Sequence, residues 1–172
     1  MPPMAKGYIH TFNPEEQKRL IHQAEHLVPW IHQSIDLSGC KHVLEVGCGV
    51  GAQLRVLARR FPQTRFTGID FAPEQIAHAR VLLREELASG QVTLLEGSAY
   101  ELPFENGGFD GAFLCWVLEH LADPPLAMRE LARGPAGWGS PLRHRSLQSR
   151  RLRSPSHGGH DRVLERVQRP PA

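Results

Sequence analysis

Nowhere in the 172 residues do apolar side chains run unbroken for the ~18 to 20 positions that a membrane-spanning helix needs. Residues 1–6 lack the apolar stretch of a secretory leader, so a cytoplasmic protein without membrane contact is the expectation. Cysteine is scarce: Cys40, Cys48 and Cys115 stand far apart with no CxxC pair, which argues against both a disulfide framework and a zinc site. They read as reduced, mostly buried thiols. A strong charge of either sign is also missing, since the formal net charge is only +2. That balance hides an asymmetry: up to Arg133, 12 Lys plus Arg face 16 Asp plus Glu, and beyond it 8 Arg face 2 acids. Residues 134–172 contain no Ile, Phe, Tyr, Met or Lys. A segment with so little apolar surface does not offset its ordering entropy, so it is expected to be a disordered tail rich in Arg, Pro, Gly and Ser. Its arginines could meet phosphates nonspecifically, but no aromatic pattern beyond Trp138 interleaves them, and no specific nucleic-acid partner is expected.

What is present is globular material, 41% apolar and 22% charged, long enough for one domain with a core. Apolar positions at helical spacing over residues 14–35 (Leu20, Ile21, Ala24, Leu27, Val28, Trp30, Ile31) predict N-terminal helices, with Asn13 able to cap, Pro14 suited to the first turn, and Pro29 expected to kink or divide the segment. Strands are then predicted at 42–46, 65–70, 92–96 and 109–115, alternating with helices at 52–60, 73–88 and 124–133. Parallel strands need helical crossovers, so this alternation specifies an α/β, doubly wound parallel sheet of about four strands, covered on both faces. The chain thus divides into an N-terminal helical segment (1–39), a ligand-binding sheet domain (40–133) and the tail (134–172).

The sharpest local signal is Glu45-Val46-Gly47-Cys48-Gly49-Val50-Gly51, where a buried strand gives way to a helix. Glycines there permit a tight turn and close approach of the backbone to a ligand at the carboxyl edge of the first strand. The turn alone allows a dinucleotide reading, because Gly47, Gly49 and Ala52 satisfy G-x-G-x-x-A and Asp70 ends the second strand. On that reading the chain is a fragment of an NAD-dependent oxidoreductase. Glu45 tilts the choice, since an acid just before the turn suits the ammonium of a bound amino acid better than a pyrophosphate.

At these residues the sequence resembles the class I, Rossmann-like methyltransferases that use S-adenosylmethionine, whose first motif is an acid, x, then G-x-G-x-G. The resemblance continues in order along residues 40–133. Gly68-Ile69-Asp70-Phe71-Ala72-Pro73 is similar to the second motif, implying that Asp70 accepts hydrogen bonds from the ribose hydroxyls and that Phe71 flanks the adenine. The third motif is matched by residues 96–104, where Ser98 stands at a position usually held by Asp, and implies Ser98 and Ala99 in the cofactor site. Residues 109–121 resemble the fourth strand and the turn beyond it, implying that the backbone around Cys115 lines the methionine end. The implied cofactor site is Glu45, Gly47, Cys48, Gly49, Gly51, Asp70, Phe71, Ser98, Ala99 and Cys115. No catalytic acid is implied, because displacement at a sulfonium needs mainly alignment of the acceptor and exclusion of water. The expected partner is a small-molecule methyl acceptor, of unidentified nature, and an alternative is a non-catalytic remnant.

Three further groups are weighed. Glu119 and His120 could handle a proton, although an acid and a histidine at a helix start are more often capping and surface residues. His22 and His26 share a helix face at metal-ligand spacing without a third ligand, so no metal is expected. Tyr8 could close over the cofactor or remain a terminal aromatic. The resemblance implies a strand order of 3-2-1-4-5-7-6 and breaks off after Arg133. A one-base displacement of the codons from Gly134 onward permits a string similar to the family's fifth strand, so a truncated or frameshifted chain is expected, poorly soluble and inactive or nearly so.

Overall fold

The computed structural model describes residues 14–32, 35–105 and 107–133. Tyr8 and the tail 134–172, with the expectations attached to them, lie outside the described residues.

A helix α1 (Pro14–Ile31) leads into strand β1 (His42–Val46) and helix α2 (Ala52–Arg60). Strand β2 (Arg65–Asp70), helices α3 (Pro73–Leu82) and α4 (Arg84–Ala88), strand β3 (Val92–Glu96), strand β4 (Gly111–Phe113), a 3-10 turn (Leu118–His120) and helix α5 (Pro124–Arg133) follow. All pairings are parallel and the order is β3-β2-β1-β4, so the first strand is central and the chain is wound outward from it in both directions. This is the α/β, doubly wound, Rossmann-like sheet that the alternation predicts.

Successive side chains on a strand face opposite sides, and the central strands accordingly feed two cores. Val43, Phe66, Val92 and Leu94 pack with Leu54, Leu57, Ile76 and Leu83 beneath α2 and α3. Leu44, Val46, Ile69 and Ala112 pack with Leu102, Phe109 and Leu131 on the other face, beneath α5. Each of these large side chains contributes about 1.5 to 3 kcal/mol on full burial, which is why a strand this short can hold the centre of the sheet. Helix α1 joins through a third, smaller cluster in which Ala24 meets Val50 and Ala52.

Three boundaries differ from the sequence reading. Pro29 does not divide the N-terminal segment: α1 is one helix that stops at Ile31, less than a turn beyond the proline. Proline removes one backbone donor and crowds the preceding turn, a cost that is small where the helix is about to end. The helix predicted over 73–88 breaks at Leu83 (φ −104°, ψ 22°), whose side chain is fully buried. The fourth strand is also shorter than the predicted 109–115. Asp110 still pairs through its backbone with the His42 carbonyl (2.8 Å), but its carboxylate takes the N–H groups of Lys41 and His42 (2.6 and 2.7 Å). Beyond Phe113 the chain leaves the ladder to cross over the first glycine turn.

Gly68, in the middle of β2, shows how tightly the sheet and α2 fit. A β-carbon there would stand 2.5 Å from Leu54 Cδ1 and 3.0 Å from both Cys48 Sγ and Leu94 Cδ2. We predict that Gly68→Ala lowers stability by about 1 to 3 kcal/mol, the usual cost of overpacking. A denaturant titration checks it, with the midpoint falling while the slope stays constant.

Candidate functional site

The carboxyl ends of β1 and β2, the turn after β3 and the crossing after β4 surround a cavity of about 510 Å³. Open parallel sheets bind ligands at this edge because the chain diverges to opposite faces there. Helix α1 supplies the remaining wall through Arg19, Leu20, Gln23 and Ala24.

The glycine turn forms the floor. The Ile69 carbonyl accepts N–H bonds from both Gly47 (2.8 Å) and Cys48 (3.1 Å), pinning the end of β1 to β2. Gly47 has φ +70°, and a β-carbon on it would lie 2.3 Å from Val117 Cγ2. Glycine is needed there on both counts, conformation and space. Gly51 has φ +78°, and its missing β-carbon is replaced by Leu83 Cδ1, which would sit 2.5 Å away. The first glycine lets the crossing after β4 close down on the turn, and the last lets α3 close up from behind.

Two acids meet beside this floor. Glu45 is 2% exposed and its Oε2 has no hydrogen-bond partner among the described residues. Burial pushes its carboxyl well above the ordinary range, and the neighbouring Asp70 adds to the shift. Asp70, 7% exposed, is better provided for: Oδ2 accepts the Gly49 N–H (2.8 Å) and Oδ1 accepts the Ala72 N–H (3.0 Å). Burial raises its carboxyl as well, opposed by the backbone donors of Ala72, Gly49 and Phe71. Its carboxylate also lines the cavity. The Cys48 thiol is held well above its ordinary value by burial and then by Glu45 and Asp70, so it lines the cavity as a protonated, apolar side chain.

Of the residues singled out in the sequence, Glu45, Gly47, Cys48, Gly49, Asp70, Phe71, Ser98, Ala99 and Cys115 line this one cavity. Gly51 does not; it is turned toward α3. Phe71 stands at the mouth, 42% exposed. Ser98 uses its hydroxyl locally, accepting the Tyr100 N–H at 3.1 Å. Glu119 and His120 also face the cavity, from the 3-10 turn, with His120 Nε2 3.8 Å from Glu119 Oε1. His22 and His26 lie outside it, on α1, where His26 Nδ1 is 3.1 Å from the His22 carbonyl.

Several lining residues carry no local sequence signal. Gln75 and Gln53 are buried amides on α3 and α2. Gln53 Oε1 lies 2.7 Å from Nε2 of His32, a fully buried imidazole whose pKa is lowered first by burial. Trp116 is the single non-glycine residue with positive φ (+55°) among those described, and it lines the cavity where the chain crosses Gly47. Strain of that kind persists only where surrounding packing fixes it, and it gathers at functional sites.

Comparison with known proteins agrees with this architecture. Residues 44–134 match the family described as methyltransferase domain. The O-methyltransferase resE of Aspergillus sclerotiorum is 29% identical over 130 residues, covering 74% of this chain and 49% of that protein. A ubiquinone/menaquinone biosynthesis C-methyltransferase of Geobacter sp. (strain M21) is 32% identical over 108 residues, 62% of this chain and 46% of that protein. The chain therefore spans about half the length of these curated relatives. Among solved structures, a SAM dependent methyltransferase from Aquifex aeolicus superposes with a TM-score of 0.60 at 22% identity, over 73% of this chain and 68% of that one, and shows the same fold. With a family match that spans more than half its residues and runs from the middle of β1 through α5, the chain belongs to the class I S-adenosylmethionine-dependent methyltransferases.

Proposed function

We propose that residues 40–133 bind S-adenosylmethionine across the carboxyl edge of the sheet, and that the protein transfers its methyl group to a small-molecule acceptor. The observation that carries this reading is Glu45. A carboxylate oxygen enclosed without a partner costs several kcal/mol if charged, and a ligand ammonium is the group that offsets it. A dinucleotide pyrophosphate would instead set anions beside two buried acids. The relatives named above are called O- and C-methyltransferases, and an N-methyltransferase of Haemonchus contortus was solved with S-adenosylhomocysteine, which supports the cofactor and leaves the acceptor atom open. Three cysteines, none in a disulfide among the described residues, suit a reducing, cytoplasmic setting.

When bound, the cofactor would supply an electrophilic methyl group on a sulfonium, whose departing sulfur is neutral and needs no acid to assist it. The protein's part is to bind, align and exclude water. In this assignment Glu45 takes the ammonium, and the turn Gly47-Cys48-Gly49 gives close backbone approach. Asp70 accepts from the ribose, while Phe71, Ser98 and Ala99 border the base. Cys115 and Trp116 would enclose the reacting end, and α1 supplies another wall of the same cavity. Gly51 contributes from behind, by letting Leu83 support the turn.

Calorimetric titration tests the assignment directly: S-adenosylhomocysteine should bind and NAD should not, and the reverse result would replace the methyltransferase reading by a dehydrogenase one. Asp70→Ala should weaken S-adenosylhomocysteine by about 1.5 to 3 kcal/mol, the range for hydrogen bonds to charged groups. Because Asp70 also holds the Gly49 N–H, Asp70→Asn is the companion variant that keeps one acceptor oxygen.

Glu45 yields a pH signature. Its folded-state pKa is raised above the ordinary 4.5, so the folded chain holds a proton that the unfolded chain releases. Stability of the cofactor-free protein should therefore fall as pH rises from the ordinary carboxylate range through the raised folded value. S-adenosylhomocysteine should bind more tightly over the same window, since its ammonium needs the charged form. Glu45→Gln is expected to reduce the pH dependence of stability to the shallower slope left by Asp70 and to remove the rise in affinity. Thermal melts and titrations at several pH values read both, and an unchanged pH dependence in the variant would remove Glu45 from the role.

A further inference from the structure

Phe71 and Trp116 are the two large apolar side chains of the cavity wall that stand exposed, at 42% and 36%. They follow β2 and β4, strands on opposite sides of β1. The cofactor assignment gives Phe71 to the base and leaves the indole of Trp116 beside the reacting end. Two costs mark this position. A bulky residue at φ +55° is strained where glycine would not be, and an open indole forgoes the burial that a large apolar side chain gains. Packing explains neither. Leu114 is buried in the core beneath α5 and Val117 rests on Gly47, so the bend is held from both sides by its neighbours, and the indole is not what holds it. Among the described residues the indole makes no ring contact, and its Nε1–H has no hydrogen-bond partner.

We propose that Trp116 determines specificity for the methyl acceptor, its indole being the platform on which a flat aromatic ring of the acceptor stacks. The proposal rests on the methyltransferase reading above and adds the acceptor's chemical class to it. Aromatic pairs in offset or edge-to-face contact gain beyond the area that they bury, and an indole, with two rotatable side-chain bonds, loses little freedom in meeting one. Part of the remaining wall suits an apolar body: Leu20 and Ala24 of α1, and Leu121 and Ala122 beyond the 3-10 turn, border the same cavity without a polar side chain. A saturated ring of equal size would fill the space without the stacking gain. An ammonium would also be drawn to the ring face, but a protonated nitrogen has no lone pair with which to take a methyl group.

The test uses the full chain saturated with S-adenosylhomocysteine, titrated by calorimetry with naphthol, decahydronaphthol and tetramethylammonium. The parent should bind naphthol about 2- to 12-fold more tightly than its saturated counterpart, the worth of one aromatic pair, and should not bind tetramethylammonium. Trp116→Phe should keep that preference and Trp116→Leu should erase it, with affinity for naphthol changing more than affinity for S-adenosylhomocysteine. Both variants should melt close to the parent, since the ring is not part of the core. A large fall in melting temperature in both would show that the indole is structural and overturn the proposal. An equal preference in the parent and Trp116→Leu would do the same, as would a loss in Trp116→Leu that falls chiefly on S-adenosylhomocysteine. Failure of the parent to bind S-adenosylhomocysteine would overturn the cofactor assignment and this inference with it. A parent that binds S-adenosylhomocysteine but does not prefer naphthol, takes tetramethylammonium instead, or releases S-adenosylhomocysteine to naphthol would overturn this inference alone.

Discussion

The cavity owes its shape to one contact that contains no side chain on one of its two faces. Val117, in the crossing after β4, rests directly on the α-carbon of Gly47, in a space that any larger residue would fill. The loops that follow two neighbouring strands, β1 and β4, thereby meet over the carboxyl edge of the sheet. Everything above them follows: the crossing must bend sharply enough to drive Trp116 to positive φ, and the 3-10 turn with Glu119 and His120 is carried over the mouth. Close approach is possible because β1 and β4 are hydrogen-bonded neighbours in register, Val43 with Gly111 and Glu45 with Phe113, so their ends emerge side by side.

Around that contact the protein concentrates groups that do not favour its own stability. Glu45 and Asp70 are both buried there, burial raising the cost of ionising each and Asp70 adding to that of Glu45. Buried polar groups in native proteins nearly always have partners, so the unmet oxygen of Glu45 beside the cavity is informative about what the cavity holds. The well-packed faces of the sheet offset this cost, and the balance is characteristic of a binding site carried by a rigid scaffold.

Sequence alone made the scaffold legible where structure is decided locally. The runs His-Val-Leu-Glu-Val and Arg-Phe-Thr-Gly-Ile-Asp become β1 and β2, and the glycine turn, Asp70 and the start of α3 fall where turn chemistry and a proline at the first helical position put them. What failed depends on partners distant in the chain. Pro29 reads as a break until its nearness to the end of α1 is known, and β4 reads as longer than it is because its apolar run continues after the backbone has left the ladder. The apolar face of α1 was predicted, but nothing in it says that Arg19 and Gln23 border a ligand cavity. Gln75 and Gln53 are ordinary helical residues by pattern, and only burial distinguishes them. Gly51 was placed with the ligand by its motif, while the structure gives it to the packing of Leu83.

The end of α1 is fastened to the domain by polar bonds as well as by packing. Arg60, in the last turn of α2, donates to the carbonyls of His32 and Ile35, the His32 ring meets Gln53, and Arg55 pairs with Glu25 at 2.6 Å. All of these anchors on the sheet domain lie on α2, whose opposite face is committed to the core. The wall facing the cavity is thus a separable part with a defined socket. Replacement of α1 by a different helix would recast this wall of the cavity, provided that the incoming piece ends on the same histidine, offers its carbonyls to Arg60 and packs a small side chain against Val50 and Ala52.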